Sequence, residues 1–196
     1  RRVVLKLVSD RYKLNHDQRT IIYRGIYNKN IVKNVKLKLT SRIDVDKIFW
    51  IDGFNVIFKI IHYLLGRPLF ISNDGLLRDA GKWNDKFSIN AVVNNSIKLF
   101  LKYLNLIGSN KIIVYFDNKV ILRNLFFLFD DFKNDKIDII WSDNVDKELK
   151  NKNEGIIATT DSQIITLANT EIFDFARMIL ENEYNSKFIN INSFLK

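Results

Sequence analysis

The chain has 196 residues, 47% of them hydrophobic and 13% aromatic, which suits one α/β domain with an extension or two small domains. It has no cysteine, so disulfides and thiolate metal sites are excluded and an intracellular, cytoplasmic protein is expected. The net charge of +9 lies wholly in residues 1–47, which hold 13 Lys/Arg against 4 Asp/Glu, while the rest of the chain holds 18 of each.

That asymmetry predicts a basic segment facing an anionic partner, nucleic acid first of all, with a solubilising surface as the plain alternative. Val3, Val4, Leu7 and Val8 recur at helical spacing, and Tyr12 continues their face. Asn15 with Gln18 forms a capping-box pattern for a second helix through Ile21, Ile22 and Ile26. Arg1, Arg2, Lys6, Arg11, Lys13, Arg19 and Arg24 fill the polar sides and are the candidate nucleic-acid contacts. "NVKLKLTSR" alternates polar and apolar residues and reads as a short strand or a linker. A basic, mainly helical extension over residues 1–46 is therefore expected ahead of a domain over residues 47–196.

From Lys47 onward, strand and helix patterns alternate. "IFWI" is a strand by its aromatic and β-branched content. Residues 56–65 predict a helix ending near Gly66 and Pro68; this run contains Lys59 and His62 and is too short to cross a bilayer. "PLFISNDG" reads as an extended piece followed by a turn at Asp74-Gly75. Val93, Ile97, Phe100, Leu101, Leu104 and Ile107 predict a long amphipathic helix closed by Gly108. The strand "KIIVYFD" follows, then a helix marked by Ile121, Leu125, Leu128, Phe129 and Phe132. "IDIIWSD" is a strand, "VDKELKNK" a short helix, "GIIATTD" a strand, and "IFDF" a last strand before "ARMILENEY". Strands apolar on both faces that alternate with helices predict a parallel sheet in a three-layer α/β domain. The start carries no signal-peptide pattern, and because it opens on Arg-Arg without Met, a few preceding residues are expected to be missing. A glycine-rich phosphate loop is also lacking, which argues against a nucleotide-binding or dehydrogenase reading.

Four strands end on a carboxylate. "IFWI" stops at Asp52, "IIVYF" at Asp117, "IDIIWS" at Asp143 with Asp146 one helical turn later, and "GIIATT" at Asp161. In an open parallel sheet the C-terminal strand ends share one edge, where ligands bind. Carboxylates gathered there repel one another unless a cation intervenes, and all-oxygen ligation suits Mg²⁺ or Mn²⁺. The plainer reading of each is a helix cap or a turn residue. Asn55 is placed to orient Asp52 or a metal-bound water, or to cap a helix. Thr159, Thr160 and Ser162 can bond a carboxylate or phosphate; alternatively the threonines serve β propensity and Ser162 caps a helix. His62 reads as a packed histidine, and His16 is too distant in sequence to join it in a metal-ligand pattern. Trp50 and Trp141 fall in strands, which leaves Trp83 as the candidate base-stacking residue.

"WIDGFNV", "VYFD", "VDKEL" and "IIATTDSQII", in that order over roughly residues 47–180, resemble the motif series of PIN-like nucleases, including the NYN branch. "DGFNV" with "GRPLFISNDGLLRD" and "NVDKELK" is similar to an uncharacterised, largely archaeal PIN-like family with a basic N-terminal extension. The resemblance implies a ribonuclease in which Asp52, Asp117, Asp146 and Asp161 hold Mg²⁺ or Mn²⁺ and hydrolyse phosphodiesters. Asp143 is the alternative to Asp146, and its spacing to Asp161 leaves the choice open. Lys147 would stabilise the leaving oxygen, and Asn55, Arg78, Asp79, Lys147, Thr160 and Ser162 would contact substrate. The chain departs from the pattern in having no Glu where many PIN domains place a second acid. Asp79 is the candidate substitute, with pairing to Arg78 or a turn cap as its alternatives. A catalytically inactive RNA-binding or ribosome-associated protein and a toxin-type nuclease held by a protein inhibitor are the competing functions. A ribonucleoprotein or homodimer contact is a further partner expectation, and a membrane is not.

Overall fold

The computed structural model describes residues 2–80, 91–119, 129 and 132–195. Arg1, Trp83 and most of the helix expected between Ile121 and Phe132 lie outside them.

Helices α1 (Arg2–Arg11) and α2 (His16–Gly25) form as their periodicity predicts. The capping box is complete: Gln18 N donates to Asn15 Oδ1 at 2.9 Å and Asn15 N donates to Gln18 Oε1 at 3.0 Å. Most of the expected apolar face of α1 is not packed, since Val3, Val4 and Leu7 lie exposed and Val8 is only half-buried. Of "NVKLKLTSR", "NVKLK" belongs to α3 (Lys29–Lys38), Leu39 makes an isolated parallel bridge to Ile172, and "TSR" is the linker. Asn28 caps that helix, and Ile31 and Val35, four residues apart, pack on one apolar cluster, so the helical period prevails over the alternation.

The domain continues through β1 (Phe49–Asp52), α4 (Gly53–Leu64), β2 (Leu69–Ile71), β3 (Leu77–Asp79), α5 (Ala91–Leu106), β4 (Ile112–Asp117) and β5 (Ile137–Ser142). Then come α6 (Val145–Lys150), β6 (Ile156–Ala158), α7 (Ser162–Leu167), β7 (Glu171–Phe173), α8 (Phe175–Tyr184) and β8 (Ile189–Asn190), with a closing 3₁₀ turn, Ile191–Phe194. Strands β5-β4-β1-β6-β7 make a five-stranded, wholly parallel sheet. Alternation along the strands divides the core in two. Phe49, Ile51, Val114 and Phe116 pack with α4, α5 and α8, while Trp50, Tyr115, Ile157 and Ile172 pack with α3, α6 and α7. The architecture is thus a three-layer α/β fold. A small second sheet, β3-β2-β8, was not anticipated beyond its first extended piece. Its β3 and β8 have three and two residues and no apolar run to mark them.

Two glycines are dictated by close approach. A Cβ on Gly53 would stand 2.2 Å from the Phe116 ring, so the turn from β1 into α4 closes only on glycine. Gly155 has φ +85°, and its Cβ would meet the Ile48 carbonyl at 2.4 Å. Phe129 is buried with its ring centroid 4.4 Å from that of Phe116.

Besides the apolar packing of Ile21, Ile31 and Val35, the N-terminal helices dock on the domain through polar contacts. Asn73 accepts from Tyr27 N at 3.0 Å and donates to Tyr27 O at 2.9 Å. Lys38 Nζ donates to the Ile165 and Ala168 carbonyls at the end of α7, at 3.0 and 2.5 Å. Among the described residues no helix is long and apolar enough to cross a membrane.

Candidate functional site

The chain builds the sheet outward from β1 through β4 to β5, then crosses back to lay β6 and β7 on the other side. The reversal places a topological switch point between β1 and β6, where open α/β sheets bind ligands beyond the strand C-termini. Ile51 is in register with Ala158, so Asp52 and Thr159 leave the sheet side by side. Thr159 Oγ1 donates to Asp52 Oδ2 at 2.9 Å, and Asp161 N donates to Thr159 Oγ1 at 3.1 Å. Asp52 Oδ1 accepts from Asn55 N at 3.3 Å and caps α4; Asp161 Oδ1 accepts from Gln163 N at 2.7 Å and caps α7. Both aspartates are therefore helix caps and also neighbours. Ser162 is the first residue of α7 and not its cap.

Their charges interact. Burial pushes the Asp52 carboxyl up to about 7 and the Asp161 charge adds to the rise, against the Thr159 hydrogen bond and the Lys59 charge. Asp146, on the first turn of α6, is also raised, by partial burial first and then by the charges of Asp161 and Asp117. Asp52 thus feels the Asp161 charge, and Asp146 feels those of Asp161 and Asp117, which links the four into one series. Asp117 accepts from Lys119 N at 2.7 Å. Asp143 is exposed and accepts from Asn118 Nδ2 at 3.1 Å, and it is Asn144 that caps α6, by accepting from Lys147 N at 3.0 Å. Lys147 is exposed.

The donors along this edge are all oxygens, the kind a hard divalent cation takes. Among the described residues no three His, Asp or Glu side chains stand close enough together to enclose a metal ion. Mg²⁺ needs no such cage, because it commonly takes one or two carboxylates and fills its remaining positions with water and phosphate oxygens. Asp52 and Asp161 fit that arrangement.

Beside the acids lies a cavity of about 310 Å³ whose lining includes Arg24, Tyr27, Asn55, Lys59, Asp161 and Ser162. Asn55 is not a cap: its Oδ1 accepts from Lys59 Nζ at 2.8 Å, Thr160 N at 3.1 Å and Thr160 Oγ1 at 3.2 Å. Lys59 is only 3% exposed, and its Nζ also donates to Asn55 O at 3.0 Å. Burial lowers its pKa, opposed by the charges of Asp79, Asp174 and Asp52. Lys59 was missed as a site residue in the sequence, where it stands out only as a cation one turn after Asn55 in an otherwise apolar run.

Asp79 does not join the acidic series. Its Oδ1 lies 2.7 Å from Arg24 Nη1 and 3.3 Å from His62 Nδ1. Although burial works the other way, the adjacent His62 ring and the charges of Lys59 and Arg24 hold Asp79 down at about 2. Its partner is therefore Arg24, which draws that arginine off the free basic surface. Arg78 pairs instead with Asp74, at 2.7 Å and with both groups buried. His62 is buried as expected of a packed histidine; His16 is exposed beside Asp17. Arg2, Lys6, Arg11, Lys13 and Arg19 are exposed, with Arg11 over the Tyr12 ring and Arg19 Nε donating to Leu14 O at 2.8 Å. Trp50 donates to Glu154 O, and Trp141 stacks on Phe116.

An uncharacterized protein of Methanocaldococcus jannaschii, MJ0935, is 30% identical over 174 residues, covering 86% of this chain and 82% of its own. No solved structure matches. The family described as "Domain of unknown function (DUF5616)" matches residues 42–178, a span that takes in β1, the switch point and every aspartate of the acidic edge, and the chain belongs to that family.

Proposed function

We propose that the protein is a Mg²⁺- or Mn²⁺-dependent ribonuclease of PIN-like fold. The observation that carries this reading is the coupling of Asp52 to Asp161 at the switch point, with Asp146 and Asp117 extending the series from two further elements. The order of the acid-bearing segments and the wholly parallel sheet support the PIN-like assignment. Asp52 and Asp161 would hold the cation, with Asp146 and Asp117 as the further carboxylates of the same edge. A bound cation supplies a hydroxide at neutral pH and neutralises phosphate oxygens. Asp52, raised to about 7, would release its proton to solvent when a cation binds, so binding there would be pH-dependent near neutrality. Thr159 and the Asn55 N–H fix its two oxygens, while Lys59 and Thr160 hold the Asn55 side chain at the cavity wall. Lys147, exposed on the helix that carries Asp146, is the cation available to a leaving oxygen.

The test is cleavage of total cellular RNA with Mn²⁺ by wild type and Asp161→Asn. The reading expects products from wild type and a loss on the order of 10²-fold or more in the variant. Wild type without products would contradict it. One observation favours an RNA-binding protein without cleavage, in a ribonucleoprotein or on the ribosome: Asp79, the substitute for the absent second acid, is held by Arg24 and His62. That alternative predicts RNA binding indifferent to both EDTA and Asp52→Asn.

A further inference from the structure

Helix α3 carries Lys29, Lys33 and Lys36 at i, i+4 and i+7, one stripe about 10 Å long at 1.5 Å per residue, and the helix has no acidic residue. With Tyr27, Asn73 and Asn192, the three lysines line an open groove of about 430 Å³. No ion pair engages any of them among the described residues, whereas the nearby Lys38 is tied to two carbonyls. The same Tyr27 also lines the cavity beside Asp161, so the groove and the cavity share that residue. Tyr27 is held in place. Asn73 bonds both its backbone groups, and the Arg78 guanidinium lies 5.2 Å from its ring centroid. Arg2, Lys6, Arg11, Lys13 and Arg19, the basic residues that stand out in the sequence, line neither space.

We infer that single-stranded RNA runs along α3 with its phosphates on Lys29, Lys33 and Lys36 and turns at Tyr27 into the cavity beside Asp161. This rests on the ribonuclease reading and names the substrate's path to the site. Lysines without counter-ions in a groove make a backbone contact that follows phosphate charge and not base sequence. A cavity at the lower end of ligand-sized volumes admits one unpaired nucleotide and no duplex.

The test uses the full chain carrying Asp161→Asn, a 5′-labelled 12-nucleotide single-stranded RNA and fluorescence anisotropy in EDTA, so that binding is read without cleavage. The further changes Lys29→Ala, Lys33→Ala and Lys36→Ala together should weaken binding at least 10-fold. They should also reduce the slope of log K against log salt by about 2, at roughly 0.7 per lost phosphate contact. Lys98→Ala, on α5 in the opposite layer, should match its parent, and Lys33→Glu alone should weaken binding more than Lys33→Ala. Unchanged affinity in the triple variant, no binding by the parent, or a polyglutamate peptide bound as tightly as the RNA overturns the inference. A small phosphodiester assayed with Mn²⁺ keeps the two readings apart. If wild type cleaves it while the triple variant still binds RNA normally, the path is wrong and the nuclease reading stands. If wild type cleaves nothing while the triple variant loses RNA, the path stands and the nuclease reading falls.

Discussion

At the residue scale the chemistry turns on two ionisable groups, the half-buried Asp52 and the buried Lys59. Asp52 has a folded value near 7 against about 3.8 when unfolded, so the native state holds a proton that the unfolded chain gives up. Its contribution to stability is complete below pH 3.8 and is lost as pH rises toward 7. Asp146 and Asp174 are raised too and act in the same direction. The metal-free protein should therefore melt at lower temperature at pH 8 than at pH 5, and Asp52→Asn should flatten that slope in a thermal scan. Lys59→Met should destabilise the fold by about 1–3 kcal/mol in urea titrations, because it takes the Nζ donor from the Asn55 carbonyl and side-chain oxygen in a buried setting. That lysine was hard to read from sequence. A cation in an apolar helix looks like a residue whose tip reaches solvent, and only the fold reveals that its tip is occupied by Asn55. Asp52 and Asp161 were legible because a carboxylate after a buried strand is conspicuous. The Asp79–Arg24 pair was not, since its partners lie 55 positions apart.

Elements explain which expectations held and which did not. β1, β4, β5 and β6 were readable because each is a short apolar run ending in a polar turn. The helix α3 was misread from half of itself: "NVKLKL" alternates, and the helical period appears only once Ile31 is set beside Val35. The contact of α2 with β3 rests on Arg24 and Asp79, and it carries a prediction of its own. Arg24→Ala should raise hydrogen exchange across α2 and cost about 1–3 kcal/mol. Asp79, depressed to about 2, stabilises this contact above pH 3.8, and the effect fades as pH falls toward 2. At the start of α4, Gly53→Ala should cost about 1–3 kcal/mol in denaturant unfolding, because Phe116 is boxed in by Phe129 and Trp141 and cannot yield.

On the scale of the whole molecule, a sheet that reverses its winding at β1 brings residues from four separate segments to one edge, and a basic set of helices covers the opening beside it. Helix α3 belongs to both parts, packed on α7 from one side and bearing its lysine stripe on another. The central claim is that the aspartates at the β1–β6 crevice share a divalent cation. Calorimetric titration with Mn²⁺ at pH 5.5 and pH 8 tests it most directly. The account predicts saturable binding that is tighter at pH 8, once Asp52 has lost its proton, and is abolished by Asp52→Asn combined with Asp161→Asn. Wild type that takes up no Mn²⁺ at pH 8, or a double variant that binds it as wild type does, would contradict the claim.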